Sequence, residues 1–201
     1  MKNNNIYKKL IIIISSPSGA GKSSICKRLL KDDKYLRISV SDTTRLPRDN
    51  EVDGNDYNFI TKEVFEGRIN NNEYIEYASV FGNYYGSLDK HVKETLDNGY
   101  DVLFDIDWQG SLQLKKSDHQ NILTIFIIPP SKNVIYERLK LRAIKSGDDE
   151  QAINARMNMY EIEMSHQDEY DFIVENNIFE KCISDIKKII IESRKNLNSW
   201  S

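Results

Sequence analysis

Three runs of the chain carry almost no interior polar residue: "KLIIIIS" at 9–15, "DVLFDID" at 101–107 and "NILTIFII" at 121–128. None shows the 3.6-residue recurrence of an amphipathic helix. Uninterrupted β-branched runs of this length suit strands buried on both faces, as at the centre of a parallel sheet. Between and after them, apolar positions recur at helical spacing. "KSSICKRLL" follows the first run, and "SLDKHVKETLDNG" precedes the second, with Ser87 as candidate N-cap and Gly99 just past the end. A long final helix begins near Ile178. Strand and helix in alternation predict an α/β fold, a parallel sheet flanked by helices on both faces.

Two segments break the alternation. Residues 41–87 are rich in Arg, Asp, Asn, Gly and Tyr, with short strand-like pieces such as "EYIEYA", and read as an inserted subdomain. Residues 138–156, "RLKLRAIKSGDDEQAINAR", read as two helical stretches joined by a polar connection, where Asp148 and Gln151 suggest a capping-box start. This second segment has the character of a mobile lid. The remainder, 8–40, 88–137 and 157–201, forms the predicted core of a single domain, and "MKNNN" reads as a disordered end.

A chain of 201 residues fits one substantial core. Its formal net charge of -3 gives no general attraction to polyanions, so nucleic acid is not an expected partner. The two cysteines, Cys26 and Cys182, lie too far apart in sequence for a metal pair, and Cys26 shares a helical face with Leu29 and Leu30 as buried filler. The longest apolar run falls far short of the roughly 18–20 residues of a spanning helix, and no cleavage pattern marks the start. No membrane association and a cytoplasmic location are expected.

The chemistry begins at "SSPSGAGKSS", residues 15–24, directly after the first apolar run. Successive backbone N–H groups can converge on a phosphate where glycines remove the Cβ, and the helix N-terminus adds its dipole. Gly19 and Gly21 bracket Ala20, and Lys22 and Ser23 open the helix, the order and context of a phosphate loop. Lys22 would neutralise the β and γ phosphates and Ser23 would ligate magnesium. A plain strand-to-helix turn would explain the glycines but not the Gly-Lys-Ser order. Ser16 stands where the loop template has its leading glycine. A serine there costs about 1 kcal/mol if φ is positive, but Pro17 biases Ser16 toward extended backbone, where a side chain is tolerated.

Asp105 and Asp107 end the second apolar run. As strand residues two apart they would share a face at the carboxyl edge of the sheet, where ligands of open parallel sheets collect. Asp105 suits the second acid near magnesium, acting through water. In "SVSDTTRLPRDNEVDGNDYNF", Arg45 and Arg48 flank Pro47 and precede Tyr57. Two forked cations and a phenol on a short stretch can hold a dianionic phosphate, although surface ion pairs would explain any single arginine equally well.

Taken together, "SSPSGAGKSS", the arginine segment, "EYIEYASVFGNYYGS", "DIDWQG" and "YDFIVENN", in this order, resemble the guanylate kinase family over nearly the whole chain. The resemblance implies a P-loop NTPase core with a GMP-binding insertion and a helical lid. It implies transfer of the γ-phosphoryl group of ATP to GMP, with dGMP as a further acceptor, giving ADP and GDP with magnesium as cofactor, in a monomer or homo-oligomer. On the donor side it implies ATP contacts from Ser18, Gly19, Ala20, Gly21, Lys22, Ser23, Ser24 and Asn176. On the acceptor side Arg45, Arg48, Tyr57 and Tyr85 would grip the GMP phosphate, and Ser41, Glu76, Ser87 and Asp107 would surround guanine. Arg138, Arg142 and Arg156 would be the lid arginines, joining Lys22 and Arg45 in catalysis. The segment "RAIKSGDDEQ" departs from the family's shorter lid.

Guanine presents N1–H and N2–H2 as adjacent donors beside the O6 acceptor, which carboxylates at Glu76 and Asp107 and a hydroxyl at Ser41 complement. Adenine would leave those groups unpaired, at a cost that supports strong discrimination. The attacking phosphate oxygen is largely ionised at neutral pH, so no general base is needed and His91, His119 and His166 read as surface or packing residues. Two alternatives stay open at this point: a catalytically inactive guanylate-kinase-like module that binds phosphopeptides, and a P-loop kinase for another small phosphate acceptor.

Overall fold

The computed structural model describes residues 8–48, 51–146 and 149–199. In chain order the elements are β1 (Ile11–Ser15), α1 (Lys22–Asp32), β2 (Leu36–Ile38), β3 (Asp42–Thr43), β4 (Asn58–Phe59), α2 (Lys62–Asn70), β5 (Tyr74–Val80) and β6 (Asn83–Leu88). They continue with α3 (Asp89–Asp97), β7 (Asp101–Asp105), α4 (Trp108–Lys115), β8 (Ile122–Ile128), α5 (Lys132–Ser146), α6 (Glu150–Ser165), β9 (Phe172–Glu175) and α7 (Phe179–Asn198).

Five strands form one parallel sheet in the order β2-β7-β1-β8-β9. The three apolar runs are its central strands, and β1 shows why its isoleucine run has no polar side. Ile12 and Ile14 pack with Ile25, Cys26 and Leu29 of α1 and Ile183, Ile186 and Ile190 of α7. Ile11 and Ile13 face the opposite layer, with Val92 of α3, Phe104 of β7 and Leu114 of α4. Both faces of the strand are dry, so both sets must be apolar. Cys26 and Cys182 are buried in the first layer, and burial pushes the Cys26 thiol well up and the Cys182 thiol up to about 11. Each therefore serves as packing, as expected for Cys26.

A second sheet, β4-β3-β6-β5, is built from the segment read as an insertion plus Leu88, and it carries a helix, α2, beyond the short strands expected there. Its brace is the fully buried Asp42, which accepts from Arg68, from the Tyr74 hydroxyl at 2.7 Å and from Asn58 Nδ2 at 2.9 Å. A buried carboxylate with three donors is satisfied, whereas alone it would be strongly destabilising. The rings of Tyr74 and Tyr84 stack on either side of Phe65 from α2.

Three local expectations are corrected. Ser87 does not cap α3: it is paired within β6, opposite Glu76, and Leu88 occupies the cap position. Asp107 does not continue β7, which ends at Asp105; it is the N-cap of α4 and accepts from the N–H groups of Gln109 and Gly110. The helix start assigned to Asp148 belongs to Asp149, whose side chain accepts from the Ala152 N–H at 2.8 Å, while Asp148 lies outside the described residues, as does "MKNNN". Gly99 follows α3 at φ 84°, as its position suggested.

The histidines lie at the surface or against neighbouring side chains. His91 is exposed, His119 Nε2 lies 2.8 Å from Asp89 Oδ1, and His166, at the end of α6, lies flat on Trp108 with ring centroids 3.8 Å apart. Among the described residues no helix is long and apolar enough to cross a membrane.

Candidate active site

The loop between β1 and α1 is closed by a turn in which the Ala20 N–H donates to the Pro17 carbonyl at 3.1 Å. Gly19 and Gly21 take φ of 89° and 99°, the left-handed region where a Cβ is strained. Space is also tight: a Cβ on Gly21 would lie 2.6 Å from Asn176 Nδ2. Ser16 takes no positive φ, and its hydroxyl donates to the Pro17 carbonyl at 3.0 Å, so the serine is accommodated without backbone strain. Helix α1 has neither a side-chain cap nor an acid in its first turn, leaving its N-terminal N–H groups and dipole for an anion.

Lys22 is paired with Asp105 at the end of the neighbouring strand β7. Burial works against its charge, but the Asp105 carboxylate, through charge and a hydrogen bond, outweighs it and holds Lys22 above the ordinary lysine range. Ser23 and Ser24 lie exposed on the first turn of α1. Asn176, just past β9, is buried and donates to the Ala20 carbonyl at 2.7 Å. Arg138 of α5 reaches the Ala20 and Asn176 carbonyls, each at 3.2 Å, and Arg156 of α6 reaches Ser18 Oγ at 3.3 Å. Ala20, Ile135, Leu139 and Ile153 form a small core between the loop and these two helices, in which Met157 and Tyr160 also pack. Arg142 sits half-buried on α5.

Across from the loop, the Tyr57 and Tyr85 rings meet edge to face at 5.8 Å, with Arg45 over the Tyr57 ring at 5.5 Å. Burial pushes the Tyr57 hydroxyl up to about 12; the Asp105 carboxylate adds to this and the Lys22 charge opposes it, so the phenol lies within electrostatic reach of the loop's own ion pair. Arg45 Nη2 is 2.8 Å from Glu51 Oε1, and the Arg48 N–H donates to Glu51 Oε2 at 2.8 Å. Glu51, six residues after Arg45, thus fixes both arginines.

The last group lies where β5 and β6 pack against α4. Ser41 and Ser87 share a hydroxyl hydrogen bond of 3.0 Å, and Glu76, opposite Ser87, is 3% exposed with Oε1 lacking a partner. Burial pushes the Glu76 carboxyl up to about 7; its hydrogen bonds with Ser87 oppose this and Asp107 adds to it. Gly110 on α4 makes room, because a Cβ there would collide with Glu76 Oε2. A buried carboxylate with a free oxygen, beside two hydroxyls and a second carboxylate, is an acceptor-rich pocket that wants N–H donors.

Sequence reasoning did not find Glu51, Gly110 or Glu163. Glu163 of α6 accepts the Ser18 N–H at 3.0 Å, and burial pushes its carboxyl up to about 7 against the opposing pull of that bond, of Lys22 and of Arg156. Glu51 had a local signal, an acid three residues after Arg48. Glu163 had none, since its partner is 145 residues away.

A phosphate loop at the carboxyl edge of a parallel sheet, with a second sheet that presents arginines, tyrosines and a buried carboxylate beside two hydroxyls, defines a P-loop kinase that acts on a small phosphorylated acceptor. The comparisons with known proteins narrow the class. The family model described as guanylate kinase matches residues 7–193. The chain is 49% identical over 191 residues to the guanylate kinase of Rickettsia bellii, covering 95% of this chain and 98% of that one, and 48% identical to that of Rickettsia felis, covering 94% and 96%. The crystal structure of guanylate kinase from Anaplasma phagocytophilum superposes with a TM-score of 0.75 at 32% identity, over 94% of this chain and 87% of that one. The chain belongs to the guanylate kinase family.

Proposed function

We propose that the protein transfers the γ-phosphoryl group of ATP to GMP, reversibly, giving ADP and GDP, with the loop as donor site and the second sheet as acceptor site. In this reading residues 41–87 are the acceptor subdomain and 138–156 the lid. The observation that carries the acceptor's identity is the unpartnered Glu76 Oε1, buried beside Ser41, Ser87 and Asp107. Guanine N1–H and N2–H2 are the donors that would satisfy it, and adenine offers no such pair.

Arg45, Arg48, Tyr57 and Tyr85 hold the GMP phosphate, whose oxygen attacks without a general base because it is already ionised. Lys22 and the loop N–H groups bind the donor's phosphates, and Arg138, Arg142 and Arg156 meet charge as it builds on the transferred group. Asn176, by holding the Ala20 carbonyl, keeps the loop in shape. Among the described residues no three His, Cys, Asp or Glu gather to hold a metal. Ser23 and Asp105 supply two hard oxygen donors, a set suited to a magnesium ion that arrives on ATP and keeps water in its shell. Ser23 would bind it directly and Asp105 through water. Held there, the ion would supply charge screening for the donor phosphates.

One coupled assay with ATP and magnesium, run across GMP, dGMP, AMP, UMP and CMP, tests the proposal. Turnover confined to the guanine nucleotides is expected. Equal use of AMP or UMP would refute the base assignment, and no turnover with any acceptor would refute the kinase.

A further inference from the structure

The phosphate loop already touches one carboxylate. Glu163 Oε2 accepts the Ser18 N–H at 3.0 Å, and the Lys22 and Arg156 charges both act on it. Arg156 lies two turns earlier on the same face of α6, reaches Ser18 Oγ at 3.3 Å, and lies over the Phe81 ring at 4.8 Å, at the tip of the β5–β6 hairpin. Two side chains of one helix therefore hold one residue of the loop, and the second also reaches across to the acceptor sheet. The carboxylate gains little from burial, which raises its pKa, and Asp107 repels it. What favours it there are an N–H and two cations, the groups that a phosphate would use.

We propose that Glu163 is a positioning residue that latches α6 onto the phosphate loop, its carboxylate holding a loop N–H that a donor phosphate must take over. This rests on the loop's assignment as donor site. A dianionic phosphate beside Lys22 repels an ionised Glu163, so ATP binding exchanges one anion for another and frees α6 together with Arg156. The latched enzyme is not competent for ATP, and the apparent affinity falls by the competent fraction. A charge-assisted hydrogen bond of ordinary strength leaves only a few per cent of the enzyme unlatched, and the weaker neutral bond that glutamine keeps leaves roughly ten times more.

Equilibrium binding of ATP and of GMP, each with magnesium, is measured for the unmodified protein, Glu163→Gln and Lys22→Ala. Glu163→Gln keeps the side-chain shape and loses the charge. Its Kd for ATP should fall about tenfold while its Kd for GMP stays within twofold. Carbon-13 labelling of glutamate carboxyls supplies a second readout in the unmodified protein, where the Glu163 resonance should move on adding ATP and hold still on adding GMP. A merely structural role predicts weaker binding of both nucleotides in Glu163→Gln. That result, an unchanged Kd for ATP, or a Glu163 resonance indifferent to ATP overturns the latch. If Lys22→Ala binds ATP as tightly as the unmodified protein, the donor assignment fails, and the displacement idea with it.

Discussion

Replacing Glu76 with glutamine should make the protein more stable at pH 8 while disabling it. The side chain is 3% exposed and its carboxyl is pushed from 4.5 up to about 7, chiefly by burial. A carboxyl raised on folding is stabilising relative to the unfolded chain only while it is protonated. That contribution is fully present below about pH 4.5 and is lost as pH rises through about 7. The displacement corresponds to about 3 kcal/mol. Glutamine keeps the shape, accepts from Ser87 and never ionises, so it escapes the penalty. For a chain of this size the Tm of Glu76→Gln should exceed that of the unmodified protein by about 6–12 °C at pH 8. The gap should close toward pH 4.5. The same change removes the anion that would meet guanine N1–H and N2–H2. With hydrogen bonds to a charged group worth about 1.5–3 kcal/mol each, KM for GMP should rise 100-fold or more while KM for ATP holds. Scanning calorimetry across pH and a coupled ADP assay measure the two halves. A variant less stable than the unmodified protein by the same amount at every pH, or one with unchanged kcat/KM for GMP, would refute the reasoning.

Other sites give separate expectations. Lys22→Ala should reduce turnover to background with the fold retained, as read by circular dichroism and the coupled assay; substantial remaining activity counts against the loop. Gly110→Ala drives a methyl into Glu76 Oε2, so KM for GMP should rise at least tenfold with little change for ATP, and a neutral effect would show that Glu76 can withdraw freely. Glu51→Ala frees Arg45 and Arg48, and steady-state kinetics should show KM for GMP raised several-fold more than KM for ATP. Ser16→Gly should leave KM for ATP within twofold, because the serine backbone is unstrained.

The central strands were legible because a strand covered on both faces needs apolar residues at every position, which leaves an unbroken run in the sequence. The edges lacked that signal. Strand β2 has three residues and β9 has one buried residue in four, so neither shows a run or an alternation. "DID" misled for a local reason: a strand continues through Asp107 by pattern, but an aspartate just before "WQG" is also a good N-cap, and the cap prevailed. Ser87 failed in the opposite sense, its cap chemistry overridden by pairing with Glu76. In the candidate site, Lys22 and Arg45 stand in short motifs and Glu76 is singled out by the resemblance, whereas Glu163 and Gly110 meet partners brought near only by the fold.

The flat contact between Trp108 and His166 supplies the protein with an optical gauge. Trp108 follows the Asp107 cap at the start of α4, and His166 ends α6, the helix that carries Arg156 and Glu163. An imidazole stacked on an indole quenches its emission, most strongly when protonated. Any travel of the end of α6 away from α4 during turnover would therefore brighten Trp108, and stopped-flow fluorescence of a Trp200→Phe variant, which leaves Trp108 as the sole tryptophan, could time that travel against phosphoryl transfer without an added dye.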